Sequence, residues 1–207
     1  VLIASGVDAD GQRSVLGVSV SLSEAEVHWR EFLRNLKDRG LHGVDMITSD
    51  DHDGLKAALR ATFSAVPWQR CQVHLQKNAA GYVPRVHMRG EVAQTIREIF
   101  TAPNREEAER LLGKAVDKYQ KCASKLAAWM EDNLPEGFTV FSLPPKLRRR
   151  LRSTNMMEWV NKEIGRRTRV AGLFPNDGAG LRLVSAILVE ISEDWETGRK
   201  YVSLNEQ

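Results

Sequence analysis

The chain has 207 residues, 42% of them hydrophobic, enough to bury one substantial core and to form one or two domains. Its net charge of +3 is too small to define a partner, and no run approaches the roughly 18 apolar residues that a membrane span needs. Val1 to Val7 lack the basic region and cleavage signal of a secretory peptide, and the two cysteines, Cys71 and Cys122, do not suggest a disulfide framework, so a cytoplasmic setting is expected.

Val1–Val7 and Ser14–Ser21 are rich in small and β-branched residues and are joined by Asp8-Ala9-Asp10-Gly11, which predicts a β-hairpin. Asp8 and Asp10 could be read as catalytic acids, but turn chemistry accounts for both. Because the chain starts at Val1, already inside a strand, it reads as a piece of something longer. Ser23-Glu24-Ala25-Glu26 forms a capping box for a helix with the stripe Ala25, Trp29, Phe32, Leu33 and Leu36, ending at Gly40. That helix should cover one face of the hairpin's sheet.

Val44–Thr48 predicts a short buried strand that runs into Ser49-Asp50-Asp51-His52-Asp53-Gly54, ahead of a helix from Leu55. Three carboxylates thus stand at the carboxyl end of a strand, where open α/β sheets bind ligands. A helix N-cap, by Asp53 or Asp51, would use one of them. The surplus singles out Asp50, the first residue past the strand. Trp68–His74 predicts another strand leading into a helix over 75–80. Cys71 and His74 have a zinc-like spacing, yet a closed structural zinc site needs four ligands and no second pair lies nearby in sequence. Cys71 then reads as a small buried side chain. His74 reads as a polar residue close to the acidic crevice, with phosphate contact or positioning of the acids as alternatives.

From Val86 to about Asn133 the apolar residues repeat at helical spacing: Val92, Ile96, Ile99 and Phe100, then Ala108, Leu111, Leu112, Ala115 and Tyr119, then Leu126, Trp129 and Met130. Thr101-Ala102-Pro103-Asn104 breaks the first run. The expected organisation is an α/β part over 1–85, a helical insertion with a return linker over 86–145, and a second α/β part over 146–207.

Residues 146–170 carry nine cations, Lys146, Arg148, Arg149, Arg150, Arg152, Lys162, Arg166, Arg167 and Arg169, against Glu158 and Glu163. That balance of +7 leaves −4 for the remainder of a chain whose net charge is +3. Such a concentration is the footprint of a nucleic-acid contact, with a solvated charged face as the alternative. Within it Met157, Val160, Ile164 and Thr168 make the inward stripe of a helix, while Glu158, Asn161, Lys162 and Gly165 fall on an adjacent polar face. Glu158 can be a helix cap, since Asn155-x-x-Glu158 is a capping box, or a surface charge, or a metal ligand. Gly172-Leu173-Phe174-Pro175-Asn176 then reads as a break and cap before a core helix through Leu181, Val184, Leu188, Ile191 and Trp195.

In order, Gly6-Val7 with Gly11 to Gly17, Ser23 through Leu41, Ser49-Asp50-x-His52-x-Gly54-Leu55-Lys56 and Trp68-Gln69-Arg70-Cys71-x-x-His74 resemble the Mutator-type transposases of bacterial insertion sequences. So do Thr154-Asn155-x-x-Glu158-x-x-Asn161-x-Glu163-Ile164-x-Arg166 through Val170, Phe174-Pro175-Asn176 and the tail from Trp195 to Leu204. The resemblance implies an α/β fold of the RNase H-like kind, the ribonuclease H/integrase superfamily, interrupted by an all-α insertion. It implies a DDE active site of two Asp and one Glu, in which Asp50 matches the second Asp and Glu158 the Glu. The first Asp and the first strand would lie upstream of Val1, so the chain by itself is expected to be inactive.

The resemblance further implies Mg²⁺ or Mn²⁺ held by Asp50 and Glu158, cleavage and strand transfer at element ends, and double-stranded DNA of those ends and of the target as partner. A homo-oligomer in the active complex and association with the nucleoid follow from the same likeness. Arg148, Arg149, Arg150, Arg152, Lys162, Arg166, Arg167 and Arg169 are the expected DNA contacts. His52, Cys71, His74, Asn155 and Asn161 are accessory candidates, and Trp159 and Gly165 stand where the family commonly has basic residues. The competing expectation is a non-catalytic DNA-binding or assembly fragment of a truncated transposase.

Overall fold

The structure, a computed structural model, describes residues 1–21, 23–169 and 176–202. In chain order these form β1 (Leu2–Val7), β2 (Arg13–Ser19), α1 (Glu26–Asp38), β3 (Ile47–Ser49), α2 (Asp53–Thr62), β4 (Trp68–Arg70) and α3 (Gln72–Ala79). There follow α4 (Arg89–Phe100), α5 (Arg105–Gln120), α6 (Ser124–Asn133), α7 (Pro145–Leu151), α8 (Asn155–Thr168) and α9 (Asp177–Thr197). The composition is α-rich with small sheets and is compatible with the α/β class. The described strands form two separate two-stranded sheets, β1–β2 antiparallel and β3–β4 parallel. The chain divides into two compact units, one of Val1–Val44, Asp51–Val66 and the part from Asn155 onward, the other of Asp45–Asp50 and Pro67–Thr154.

In the first unit the hairpin closes as its sequence dictates. Asp8 Oδ1 accepts from the amides of Asp10 and Gln12, both at 2.9 Å, and Gly11 takes the left-handed φ of 79° that only glycine adopts without cost. Both catalytic-looking acids of this turn are therefore turn residues by position. The carbonyl of Gly11 accepts from the amides of Tyr201 and Val202, which ties the end of the described chain to the hairpin. α1 lies on β2 closely enough that a Cβ on Gly17 would stand 2.9 Å from Leu36 Cδ2. Phe32, Leu33 and Leu36 of its predicted stripe are buried. The Ser23–Glu26 capping box does not form: the N-cap is Ala25, without a side-chain bond, and the Ser23 amide turns to Ser21 Oγ at 3.3 Å.

α8 and α9 build the core of this unit with Val160, Ile164, Val184, Ile187, Leu188, Ile191 and Trp195, against which Ile3, Val15 and Val18 of the hairpin pack. Each fully buried aliphatic side chain here stabilises by about 1.5–3 kcal/mol. Ser192 Oγ accepts the Val15 amide at 3.0 Å, and the Arg13 guanidinium lies 4.4 Å from the Trp195 ring centroid, a cation–π contact. Leu181, read as a core position, is 36% exposed instead, since it precedes the part of α9 that packs. Asn176 caps α9 as expected, its Oδ1 accepting from Ala179 N at 2.9 Å. The rest of the predicted break, Gly172 to Pro175, lies outside the described residues, as do Val170 and the tail beyond Val202.

In the second unit β3 and β4 pair in parallel with Ile47 against Trp68, Thr48 against Gln69 and Ser49 against Arg70. Both strands are shorter than predicted. β3 begins at Ile47 rather than Val44, and β4 stops at Arg70 because Cys71 is already the N-cap residue of α3. The helical stripes of α4, α5 and α6 bury together with Leu75, Ala79 and Phe138 as one core, in which Ile96, Ala108, Leu126 and Met130 are fully buried. Asn104 ends the break before α5 by capping it, its Oδ1 accepting from Glu107 N at 2.8 Å.

Polar residues of β4 and the start of α3 fasten the segment that follows α6. Buried Gln69 accepts the Val140 amide at 2.7 Å, and Gln72 Nε2 donates to the Gly137 carbonyl at 2.8 Å. Arg70, only 3% exposed, donates through Nη1 to Asn133 Oδ1 at 3.0 Å and Glu136 Oε2 at 2.8 Å. A buried charge persists only when partnered in this way.

Candidate functional site

A parallel pair brings the carboxyl ends of its strands to one edge, so the residues that follow β3 and β4 become neighbours. The Cys71 amide continues the ladder by donating to the Ser49 carbonyl at 2.8 Å, which sets Cys71 beside Asp50. α3 starts at once, and its first turn turns His74 onto the same edge, with His74 Nδ1 2.6 Å from Asp50 Oδ1. Thr154 Oγ1 donates to that same oxygen at 3.2 Å, and the Thr154 amide donates to Cys71 Sγ at 3.3 Å. The segment carrying Thr154 is itself fastened across the strand ends, because Thr48 Oγ1 donates to the Leu151 carbonyl at 2.8 Å and the Gln72 amide to the Arg152 carbonyl at 3.0 Å.

Asp50, Cys71 and His74 each offer a ligand atom within 4.8 Å of the others. Cys71 is buried, His74 half-buried and Asp50 exposed. Both contacts of Asp50 fall on Oδ1, and no described residue donates to Oδ2. The sequence reading placed Asp50 at the strand end and the Cys71-x-x-His74 pair near it, but it did not single out Thr154. The signal available for Thr154 was its place directly before the helix of Glu158.

The other acids of the Asp50 loop have local places. Asp51 pairs with Lys56 Nζ at 2.7 Å, and Asp53 is the first residue of α2. The cap of α2 is neither of them: His52 Nδ1 accepts the Leu55 amide at 3.4 Å, while His52 Nε2 stands 3.4 Å from Glu24 Oε2.

Glu158, in the first unit, is half-buried in the first turn of α8, where the helix macrodipole favours an anion. Asn155 opens the helix and is exposed, as is Asn161. Asn161, Lys162, Gly165, Arg166 and Arg169 line an open surface depression along α8. Arg166 and Arg167 hold the Glu163 carboxyl well below the usual carboxylate range, at about 2, chiefly through the hydrogen bonds from Arg166 and then those from Arg167. Arg167 also forks onto Glu190 of α9 through Nη1 and Nη2, at 2.7 and 3.0 Å. Glu190 first and Glu163 second push the Arg167 guanidinium further up. The basic face of α8 thus contains one cation locked between two acids, and exposed ones at Lys162, Arg166 and Arg169.

On α7, Arg148 donates to the carbonyls of Leu143 and Pro103 at 2.7 and 2.6 Å and lies over the Phe141 ring. Arg149 and Arg150 are exposed and Arg152 is half-buried. Trp159, adjoining Glu158, is half exposed, with its ring centroid 6.3 Å from that of Trp195. No helix among the described residues is long and apolar enough to cross a membrane.

Residues 1–198 match the family described as "Transposase, Mutator family", and the chain belongs to that family. It is 53% identical over 205 residues to the transposase for insertion sequence element IS406 of Burkholderia multivorans, covering 99% of this chain and 53% of that protein. It is 39% identical over 206 residues to the transposase for ISRM5 of Rhizobium meliloti, covering 100% of this chain and 52% of that protein. A further relative, 33% identical over 208 residues, is the transposase for IS256 in transposon Tn4001 of Staphylococcus aureus. The chain spans about half the length of the curated relatives it matches.

Proposed function

We propose that this chain supplies the catalytic region of an insertion-sequence transposase, an RNase H-like core of the DDE type carrying residues 86–145 as an all-α insertion. Its substrate is double-stranded DNA, its reaction metal-dependent strand cleavage and strand transfer at element ends, and its working form a homo-oligomer. Family membership supports the reading, and the observation that carries it is Asp50 at the carboxyl edge of the β3–β4 pair, held through one carboxylate oxygen with the other unengaged by described residues.

That arrangement fits a hard cation such as Mg²⁺ or Mn²⁺, which takes oxygen ligands. Asp50 and Glu158 are the residues assigned to hold it, and when bound it stabilises the attacking and leaving oxygens of an in-line displacement at phosphorus. His74 and Thr154 fix the orientation of the Asp50 carboxylate. The cations of α7 and α8 offset the repulsion between these carboxylates and DNA phosphate. Lys162, Arg166 and Arg169 provide that attraction most directly, being exposed along one face.

The test is Glu158→Gln and Asp50→Asn in a protein of the relatives' full length. Both should abolish strand transfer while leaving binding to element ends intact. Transfer that survives either substitution would remove that residue from the metal site.

A further inference from the structure

A hard cation accounts for the Asp50 carboxylate but not for the sulfur and the imidazole beside it. We propose that Asp50, Cys71 and His74 form a binding site for a thiophilic divalent cation, with Zn²⁺ as the ion that suits it. Two pieces of backbone deliver the donors: Asp50 follows β3, while Cys71, the N-cap residue of α3, and His74 in its first turn follow β4. The ligand for which the Cys71-x-x-His74 spacing lacks a sequence neighbour comes across the parallel pair.

All three donor atoms stand within 4.8 Å of one another. Zinc bonds of about 2.3 Å to sulfur and about 2.0–2.2 Å to nitrogen and oxygen require donors roughly 3–4 Å apart. The Asp50 and His74 atoms, now 2.6 Å apart, have to open by less than about an ångström to admit the ion.

The donor set decides which metal. Thiolate and imidazole favour zinc and its neighbours, whereas Mg²⁺ and Ca²⁺ take oxygen. The surroundings of Cys71 complement a metal-bound thiolate, since the Thr154 amide donates to Sγ at 3.3 Å and the sulfur stands at the amino-terminal, dipole-positive end of α3. Thr154 Oγ1, 3.2 Å from Asp50 Oδ1, adds the outer-layer hydrogen bond that orients a ligand. With Cys71 buried and Asp50 exposed, the site opens to solvent on the Asp50 side. Three protein ligands and an accessible fourth position describe an open zinc site rather than a closed structural one.

The experiment uses Co²⁺ as a coloured substitute for Zn²⁺ on the whole chain after dialysis against a chelator. One equivalent should give the intense visible bands of four-coordinate cobalt together with a near-ultraviolet sulfur-to-cobalt charge-transfer band, and Zn²⁺ should bleach both. Cys71→Ser should remove the charge-transfer band and weaken Zn²⁺ binding by more than about tenfold. Cys122→Ser, which alters the only other cysteine, should leave the spectrum as it is. His74→Gln, at a partly exposed position, should weaken binding while keeping the sulfur band, and it decides the matter if Cys71→Ser fails to fold. Absence of the charge-transfer band in the unaltered chain, its persistence in Cys71→Ser, or unchanged affinity in His74→Gln overturns the proposal. The readout is optical and needs no DNA, so a chain that binds cobalt but never supports strand transfer overturns only the transposase reading.

Discussion

His74 Nδ1 lies 2.6 Å from Asp50 Oδ1, a contact between the first turn of a helix and the end of a neighbouring strand. Thr154 Oγ1 donates to the same oxygen, so two side chains meet the carboxylate at Oδ1. Loss of such an orienting partner typically costs 10–100-fold in metal affinity or activity. His74→Ala should therefore lower Mg²⁺-dependent strand cleavage by about tenfold or more, with DNA affinity retained. Thr154→Val should act in the same direction but less, because its contact with Asp50 Oδ1 is longer, 3.2 against 2.6 Å. Single-turnover cleavage by a protein of the relatives' length measures both, and unaltered rates in His74→Ala would detach His74 from the work of Asp50.

Gly11 combines two demands that no other residue meets. Its φ of 79° is left-handed, and a Cβ there would stand 1.8 Å from the Val202 carbonyl oxygen. Gly11→Ala should cost about 1–2 kcal/mol for the backbone conformation and also displace the segment at Tyr201 and Val202 from the hairpin. Urea denaturation should show the loss of stability, and limited proteolysis should show earlier cleavage near the C-terminus. A variant as stable as the parent would mean that this docking is not kept in solution.

The network around β4 predicts a larger effect. Gln69 is fully buried, and its Oε1 is the partner of the Val140 amide. Gln69→Leu keeps the volume roughly but orphans that amide and the carbonyl of Arg70, at about 1–3 kcal/mol per group. Arg70→Met should cost a comparable amount, tempered because the Glu136 side chain is 32% exposed and can rehydrate. Thermal unfolding of the two single variants and the double variant should show less than additive losses, since both act on residues 133–140. Full additivity would contradict a shared clamp.

What the sequence discloses and what it conceals divides along the range of the interactions. The Asp8–Gly11 turn, the stripe of α1 and the Asn176 cap are legible because their chemistry is complete within a few residues. So is Asp50 at a strand end. Gln69 and Arg70 read only as strand residues, since their partners lie at 133–140, and the role of Thr154 depends on strand ends about a hundred residues away. The failed capping box and the His52 cap are local, yet both depend on competition among several acceptors that spacing alone does not rank. Charge counting found the basic segment but not its internal pairing, because Glu190, the partner of Arg167, comes from another helix.

That pairing separates the cations of α8 by function. Each phosphate contact neutralised by a cation contributes about 0.9 to the slope of log affinity against log salt on duplex DNA. Arg169→Ala and Lys162→Ala should each lower that slope by up to about 0.9 and weaken binding to all sequences alike. Arg167→Ala, which unlinks Glu163 from Glu190, should mainly lower the melting temperature. Filter binding across a salt series, with melting curves for the same variants, distinguishes the two classes. A slope change for Arg167→Ala as large as for Arg169→Ala would place Arg167 on the DNA as well.

Glu163 gives the pH dependence of the same helix. Its carboxyl titrates at about 2 in the folded chain against an ordinary value of 4.5, held down first by Arg166 and then by Arg167. A depressed acid contributes its stabilisation in full above the ordinary value and loses it as pH falls through the folded one. The ion triad should accordingly be intact at neutral pH, weaken below 4.5 and be gone near 2. Because the site is exposed, salt should narrow this window by screening the pair. Carboxyl-carbon NMR should find the Glu163 midpoint far below those of the unpaired surface acids. Arg166→Ala should raise it further than Arg167→Ala, in the order of their hydrogen bonds to the carboxylate. A midpoint near the ordinary value in the unaltered chain would mean that the triad is not held in solution, and Arg167 would then be available to phosphate beside Arg166.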